Sequence, residues 1–122
     1  IHSLDSEKLA NKLSKEQESL NLKRKYFIQV NIGDEKQKSG VSKKDLIDFV
    51  VFCKNLNLDI IGLMCIPPID KDHNYFFSQM RDSSQNIGLK HLSMGMSNDF
   101  KDAINYCSTY IRIGTNIFGK RD

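Results

Sequence analysis

The chain of 122 residues carries a formal net charge of +3, with 27% charged and 39% hydrophobic residues. This is the composition of one ordinary globular domain with a modest core. No apolar run reaches the ~18 residues that cross a membrane. The basic residues are dispersed except at 23–25, a run that suits a helix end better than a nucleic-acid surface. We therefore expect neither a membrane nor a nucleic acid as a partner.

The cysteines indicate a reducing environment rather than a chemical site. Cys53, Cys65 and Cys107 are odd in number, and they lack the spacing of metal ligands. Each lies in an apolar stretch, so we expect all three to be small buried hydrophobic residues. A cytoplasmic location is the default for such a chain, and no metal site is predicted.

Five stretches have the character of strands, and four amphipathic stretches separate them. The predicted strands are 1–4, 26–32, 60–66, 91–95 and the stretch from Tyr110. The predicted helices begin after Asp5 or Ser6, after Ser42, near His73 and after Ser97. No two-residue hairpin turn joins neighbouring strands, so the sheet should be parallel with right-handed crossovers. The fold class is α/β, either part of a (β/α)8 barrel or a small doubly wound sheet.

The second predicted strand has two distinct faces. Ile28, Val30 and Ile32 alternate with Phe27, Gln29 and Asn31. In a barrel the aliphatic face would contact helices, and Gln29 and Asn31 would point inward near the mouth.

The ends of the last two predicted strands have the residues of a phosphate site. After Arg112 come Gly114 and Thr115, a bare backbone and a hydroxyl, and Ser97 follows the preceding strand. Backbone N–H groups and hydroxyls at adjacent strand ends bind phosphate in (β/α)8 barrels. The alternative is a plain parallel sheet in which Arg112 makes a structural ion pair and Ser97 is only a helix cap.

Several motifs in this order closely resemble the pyridoxal phosphate homeostasis protein family, also called the YggS/PROSC family. They are His2-Ser3-Leu4-Asp5-Ser6, Gln29-Val30-Asn31-Ile32 with Lys38-Ser39-Gly40, Gly62-Leu63-Met64, Leu92 to Asp99, and Arg112-Ile113-Gly114-Thr115. The resemblance covers essentially the whole chain. It implies a single domain, 1–122, that is the C-terminal part (about strands 4–8) of a TIM barrel like that of alanine racemase.

The resemblance implies binding of pyridoxal 5′-phosphate (PLP), which the protein would buffer or deliver without catalytic turnover. It implies that Arg112 faces the pyridine nitrogen and that the phosphate and ring contact Ser93, Met94, Ser97, Gly114 and Thr115. The family's Schiff-base lysine lies on a first strand that this sequence does not contain. PLP-dependent apoenzymes are possible recipients. The alternatives are a fragment of a PLP-dependent racemase or decarboxylase, and a remnant that binds nothing.

Two positions depart from the family pattern, and one histidine is open to two interpretations. Cys107 stands where a glycine or alanine is usual, and Gly33 stands where serine is frequent. His2 could act as a general base at the mouth, but a structural role is the more common one for a lone histidine.

Overall fold

The computed structural model describes residues 1–36, 38–69 and 71–114. Three strands form the sheet: β1 (Lys25–Gln29), β2 (Asp59–Met64) and β3 (His91–Ser93). Four α-helices alternate with them: α1 (Glu7–Ser19), α2 (Leu46–Asn55), α3 (His73–Ile87) and α4 (Phe100–Asn105). The described part of the chain contains no helix that is long and apolar enough to span a membrane.

The sheet is parallel and follows chain order, as predicted. Its strands lie in the order β1-β2-β3, and both pairings are parallel. Single parallel bridges extend the order on each side, from Leu4 to Ile28 and from Ser93 to Tyr110. The two outer stretches are therefore much shorter than predicted. Each has only one neighbouring strand in the described chain, so backbone hydrogen bonds hold it from one side only.

Two helix starts agree with the predicted caps. The Ser6 hydroxyl accepts a hydrogen bond from Leu9 N–H at 3.1 Å and caps α1. The Ser42 hydroxyl accepts one from Asp45 N–H at 3.3 Å, although a 3₁₀ turn, Lys43–Asp45, precedes α2. Helix α3 begins at the predicted His73 and ends at Ile87, and its C-cap residue Gly88 has φ +82. A left-handed glycine is a common helix stop, since it has no Cβ to clash.

The prediction that Ser97 caps the last helix is wrong. Helix α4 begins at Phe100, and Asp99 occupies its N-cap position. Ser97 lies in the turn that precedes the helix. Asp99 closes this turn because its Oδ1 accepts a hydrogen bond from Met96 N–H at 2.7 Å.

The hydrophobic core lies between the helices and one face of the sheet, which we call the outer face. Ile28, Val30 and Ile32 belong to it, so their predicted common role is confirmed. Leu63 and Leu92 continue the outer face across β2 and β3, and both are almost completely buried. The helices contribute Ala10, Leu13, Leu46, Phe49, Val50, Cys53, Phe76, Phe77 and Met80.

Two of the three cysteines are buried as predicted. Burial raises the thiol pKa of both Cys53 and Cys65 to about 12, so both remain protonated thiols. The prediction of burial is wrong for Cys107, which is exposed and has φ +73. A side chain in this left-handed conformation costs about 1 kcal/mol or more. The strain gives a physical reason why glycine is one of the two residues, glycine and alanine, that the family resemblance places there.

Candidate functional site

The face of the sheet opposite the core, which we call the inner face, carries aromatic and polar side chains. Phe27, Gly62 and His91 are register neighbours across the three strands. The Phe27 ring lies 4.2 Å from the His2 ring and 5.0 Å from the Tyr110 ring, measured between centroids. Gly62 makes room for these rings, because a Cβ there would lie 2.8 Å from Phe27 Cε2 and 2.2 Å from the His91 carbonyl oxygen.

His2 and Ser93 form a polar pair within this aromatic surface. His2 Nδ1 and Ser93 Oγ lie 2.7 Å apart, at hydrogen-bond distance. Ser93 is fully buried, and the His2 ring also contacts Tyr110 edge-on at 5.6 Å. The pKa of His2 is lowered, first by burial and then by the positive charges of the Ile1 amino group and Arg112. His2 is therefore neutral at neutral pH.

Arg112 lies near the C-terminal ends of the strands. Its Nη2 donates a hydrogen bond to the Cys65 carbonyl oxygen at 2.9 Å, just beyond the end of β2. Burial lowers its pKa, while the Asp99 carboxylate acts in the opposite direction. A guanidinium group remains charged under these conditions. Its Nε is shielded from solvent and has no hydrogen-bond partner among the described residues.

The last two strand ends lie side by side, as the phosphate hypothesis requires. Met94 N–H donates to the Tyr110 carbonyl at 3.1 Å, and Arg112 N–H donates to the Gly95 carbonyl at 2.9 Å. The turn containing Ser97 and the backbone at Gly114 therefore follow two neighbouring, hydrogen-bonded segments. Gly114 is exposed, and among the described residues other than its chain neighbours no atom would lie within 4 Å of a Cβ built on it. Thr115 lies outside the described residues.

Two predicted ligand residues lie at the C-terminal end of β3 with buried side chains. Ser93 and Met94 are both fully buried. The Ser93 hydroxyl contacts His2, and the Met94 side chain belongs to the hydrophobic core. Their assignment as direct contacts of the ligand stays a prediction. The sequence pattern did not predict the hydrogen bond between His2 and Ser93, because these residues are 91 positions apart.

Asn31, which was predicted to point inward near the mouth, is hydrogen-bonded to the loop that follows it. Its amide donates a hydrogen bond to the Glu35 carbonyl at 2.6 Å and accepts one from Glu35 N–H at 3.1 Å. Asn31 therefore holds the loop 31–35 in place. Lys38 Nζ lies 3.0 Å from Glu35 Oε1, so this loop lysine has a partner.

The architecture and the rim define a class of protein. Parallel β/α units in chain order, with polar groups at the strand ends, are typical of a (β/α)8 barrel domain. The family model for the N-terminal domain of alanine racemase matches residues 1–122. The chain therefore belongs to this family, and its fold is a partial alanine racemase-like barrel.

Comparison with individual proteins shows which members of this family the chain is similar to. The chain is 38% identical to the pyridoxal phosphate homeostasis protein of Aquifex aeolicus over 131 residues, covering 99% of this chain and 58% of that protein. It superposes on PipY of Synechococcus elongatus, solved without PLP, with a TM-score of 0.86 and 33% identity, covering 98% of this chain and 60% of PipY. PipY has also been solved with PLP bound. The predicted resemblance to this family is confirmed.

The alanine racemase of Clostridium difficile shares the fold alone. It superposes with a TM-score of 0.72 at 16% identity, covering 97% of this chain and 33% of the racemase.

The position within the family needs a correction. The matched model is that of an N-terminal domain, so the chain is not a C-terminal portion in the terms of alanine racemase. The expectation was based on the order of short motifs along the chain. That order gives the sequence of the strands, but it does not show where the domain lies in a longer protein. The chain spans somewhat more than half the length of the relatives it matches.

Proposed function

We propose that this chain binds PLP at the C-terminal rim of its sheet and serves PLP homeostasis, by buffering or delivering the cofactor rather than by catalysis. The observation that carries the proposal is the pairing of the last two strand ends through Met94, Gly95, Tyr110 and Arg112. This pairing brings the Ser97 turn and the Gly114 backbone to neighbouring positions. PipY, which is similar along nearly the whole chain, has been solved with PLP bound, and this supports the choice of ligand.

The residues at the rim have the chemistry that PLP requires. The Ser97 hydroxyl and the backbone at Gly114 and Thr115 would hold the phosphate, and Arg112 would face the pyridine nitrogen. The open space beside Gly114 and the unsatisfied, buried Nε of Arg112 support this placement within the described residues. PLP supplies an aldehyde and an aromatic electron sink when bound. Arg112 has only donors and keeps its proton, so it would hold the nitrogen unprotonated and weaken that sink.

This effect of Arg112 favours a carrier over a carbanion enzyme, although racemases share the arrangement. The racemase or decarboxylase alternative has less support, because those proteins resemble this chain in fold at 13–16% identity. We further propose that residues 1–122 form one domain that is part of such a barrel. Cytoplasmic PLP-dependent apoenzymes would be the recipients.

We propose that no lysine of this chain attaches PLP covalently. Lys8, Lys36 and Lys90 are exposed, and Lys38 is paired with Glu35. Without a covalent link, a few charge-assisted hydrogen bonds at roughly 1.5–3 kcal/mol each must offset about 4 kcal/mol or more of lost ligand freedom. We expect an affinity near the millimolar range, about 4 kcal/mol.

Equilibrium dialysis with the 122-residue chain tests the proposal. PLP and pyridoxamine phosphate should bind about equally, and unphosphorylated pyridoxal should bind hardly at all. Gly114→Val and Ser97→Ala should weaken binding of both phosphorylated forms. Ser78→Ala is the matched control, because Ser78 lies on α3 and its hydroxyl donates a local hydrogen bond to the Tyr75 carbonyl at 2.7 Å.

Three results would contradict the proposal. The first is equal binding of pyridoxal and PLP. The second is borohydride reduction that labels one lysine stoichiometrically. The third is formation of D-alanine from L-alanine by the PLP-loaded chain, which would favour the racemase alternative.

A further inference from the structure

The stretch that begins at Tyr110 pairs regularly with β3 and its extension only as far as Met94. Tyr110 N–H donates to the Leu92 carbonyl at 3.0 Å, and Met94 N–H donates to the Tyr110 carbonyl at 3.1 Å. In a regular parallel ladder the next bond would join Arg112 N–H to the Met94 carbonyl. Arg112 N–H donates instead to the Gly95 carbonyl at 2.9 Å. The pairing therefore shifts by one residue where the chain reaches the rim.

The shift takes this backbone donor away from the Met94 carbonyl, and the Ser108 hydroxyl donates to it instead. Ser108 Oγ lies 2.6 Å from the Met94 carbonyl oxygen. The same Oγ lies 3.0 Å from the Tyr110 carbonyl oxygen and 3.3 Å from both the Leu92 carbonyl oxygen and the Met94 nitrogen. A hydroxyl has one proton to donate, and the Met94 oxygen is its nearest acceptor. One half-buried side chain therefore joins the two segments at the shift.

The shift determines where Arg112 lies. Gly95, where the shift occurs, has φ +106, a conformation that favours glycine. Beyond it, the Arg112 guanidinium donates to the Cys65 carbonyl at 2.9 Å. Without the Ser108 hydroxyl the buried Met94 carbonyl would lose its donor, which is costly. Regular pairing with Arg112 N–H would restore a donor, so loss of the hydroxyl favours movement of Arg112 away from its present place.

We propose that Ser108 is a positioning residue of the rim, because its hydroxyl stabilises the register shift that places Arg112 and the backbone at Gly114. The inference deepens the proposed function and rests on its placement of the PLP site. Ser108 acts through the backbone pairing of Arg112 and does not touch the ligand. Its hydroxyl, rather than the size of its side chain, should therefore determine how well a phosphorylated pyridine binds.

The first test compares variants of the 122-residue chain that differ in the hydroxyl at position 108. Ser108→Thr and Ser108→Val introduce side chains of nearly equal size, and only threonine keeps a donor. The ligand is pyridoxamine phosphate, which lacks the aldehyde and does not attach to lysines. NMR follows its titration through the Gly114 amide signal. Ser108→Val should lower the affinity about fivefold, and Ser108→Thr should keep it within about twofold of the parent.

The second test needs no ligand, because NMR couplings across a hydrogen bond identify the acceptor of each amide proton. In the parent chain the coupling should join the Arg112 nitrogen to the Gly95 carbonyl carbon, as the structure shows. Ser108→Thr should retain this coupling. Ser108→Val should lose it, and a coupling to the Met94 carbonyl carbon should replace it if the ladder becomes regular.

Thr109→Val is the matched control, because it removes the neighbouring hydroxyl of the same segment. Thr109 Oγ1 accepts a hydrogen bond from Leu92 N–H at 3.1 Å and lies 3.3 Å from His91 Nδ1, so its contacts precede the shift. The variant should leave the coupling of the Arg112 amide and the affinity for pyridoxamine phosphate unchanged. Urea unfolding of both valine variants separates a loss of stability, which either can cause, from a loss of position.

The inference and the proposed function fail in different ways. A coupling from Arg112 to Gly95 that survives in Ser108→Val overturns the inference, even if the parent chain binds the ligand. Equal losses of affinity in the threonine and valine variants also overturn it, because the hydroxyl would then be irrelevant. If Ser108→Val does not fold, Ser108→Ala replaces it with the same expected results. A parent chain that binds no pyridoxamine phosphate contradicts the proposed function, while the coupling still decides the role of Ser108.

Discussion

The two faces of this sheet are made from alternate residues of the same strands, yet they serve different purposes. On β2, Leu63 belongs to the outer face and is completely buried in the core. Its neighbour Gly62 belongs to the inner face, where the Phe27 ring and the His91 backbone approach it closely. One step along a strand therefore changes the environment from helix packing to a surface with histidines, a serine and an arginine.

The difference shows where stability and chemistry are separated in this protein. The outer face is mainly apolar, with the Tyr26 hydroxyl donating a buried hydrogen bond to Gln17, so its contribution depends chiefly on buried area and packing. The inner face contains polar groups that are held by single specific partners, such as Ser93 for His2 and the Cys65 carbonyl for Arg112. We expect substitutions on either face to change stability. On the outer face the cause is lost packing, and on the inner face it is a close steric contact or a changed charge.

The largest expected effect is on the outer face. Leu63→Ala should lower the free energy of unfolding by about 2–5 kcal/mol, because it removes a completely buried side chain and leaves a cavity. Urea unfolding followed by circular dichroism measures this change. Ile47→Ala is the control, since Ile47 is 63% exposed and should change stability by less than about 0.5 kcal/mol. Similar losses at both positions would contradict the assignment of the outer face as the core.

A smaller effect is expected one residue earlier, at Gly62. Gly62→Ala should destabilise the protein by about 1–3 kcal/mol, because the added Cβ would collide with the His91 carbonyl and force the strands apart. Gly114→Ala is the matched control for unfolding, because no described residue apart from its chain neighbours would lie within 4 Å of the added Cβ. An unchanged urea midpoint for Gly62→Ala would show that the inner face is not tightly packed there.

The smallest effect concerns pH. The pKa of His2 is lower in the folded state than the ~6.5 of an unfolded histidine. The unfolded chain therefore binds more protons as the pH falls below ~6.5, and stability should decrease from there down to the folded pKa. The measurement is the difference in thermal midpoint between the parent and His2→Asn at several pH values. That difference should change below pH ~6.5 and remain constant above it, and a flat difference throughout would contradict a depressed pKa.

Most of the architecture could be predicted from the sequence because it depends on local periodicity. The aliphatic alternation of Ile28, Val30 and Ile32 correctly indicated the core side, and Ser6 correctly indicated the start of α1. The start of α4 was missed, since both Ser97 and Asp99 are good capping residues and the Asp99–Met96 hydrogen bond decides between them. Cys107 was wrongly predicted to be buried, because its sequence neighbours do not indicate the positive φ that it adopts.

The sequence by itself determined the strand order, the parallel sheet and the position of Arg112 at a strand end, because β/α alternation and residue spacing are properties of short segments. Only the tertiary structure decided which polar atoms meet on the inner face. Arg112 reaches a carbonyl 47 positions away and His2 reaches a hydroxyl 91 positions away. Such contacts depend on how the strands are placed side by side and on the space that Gly62 leaves open, and no local pattern encodes that placement.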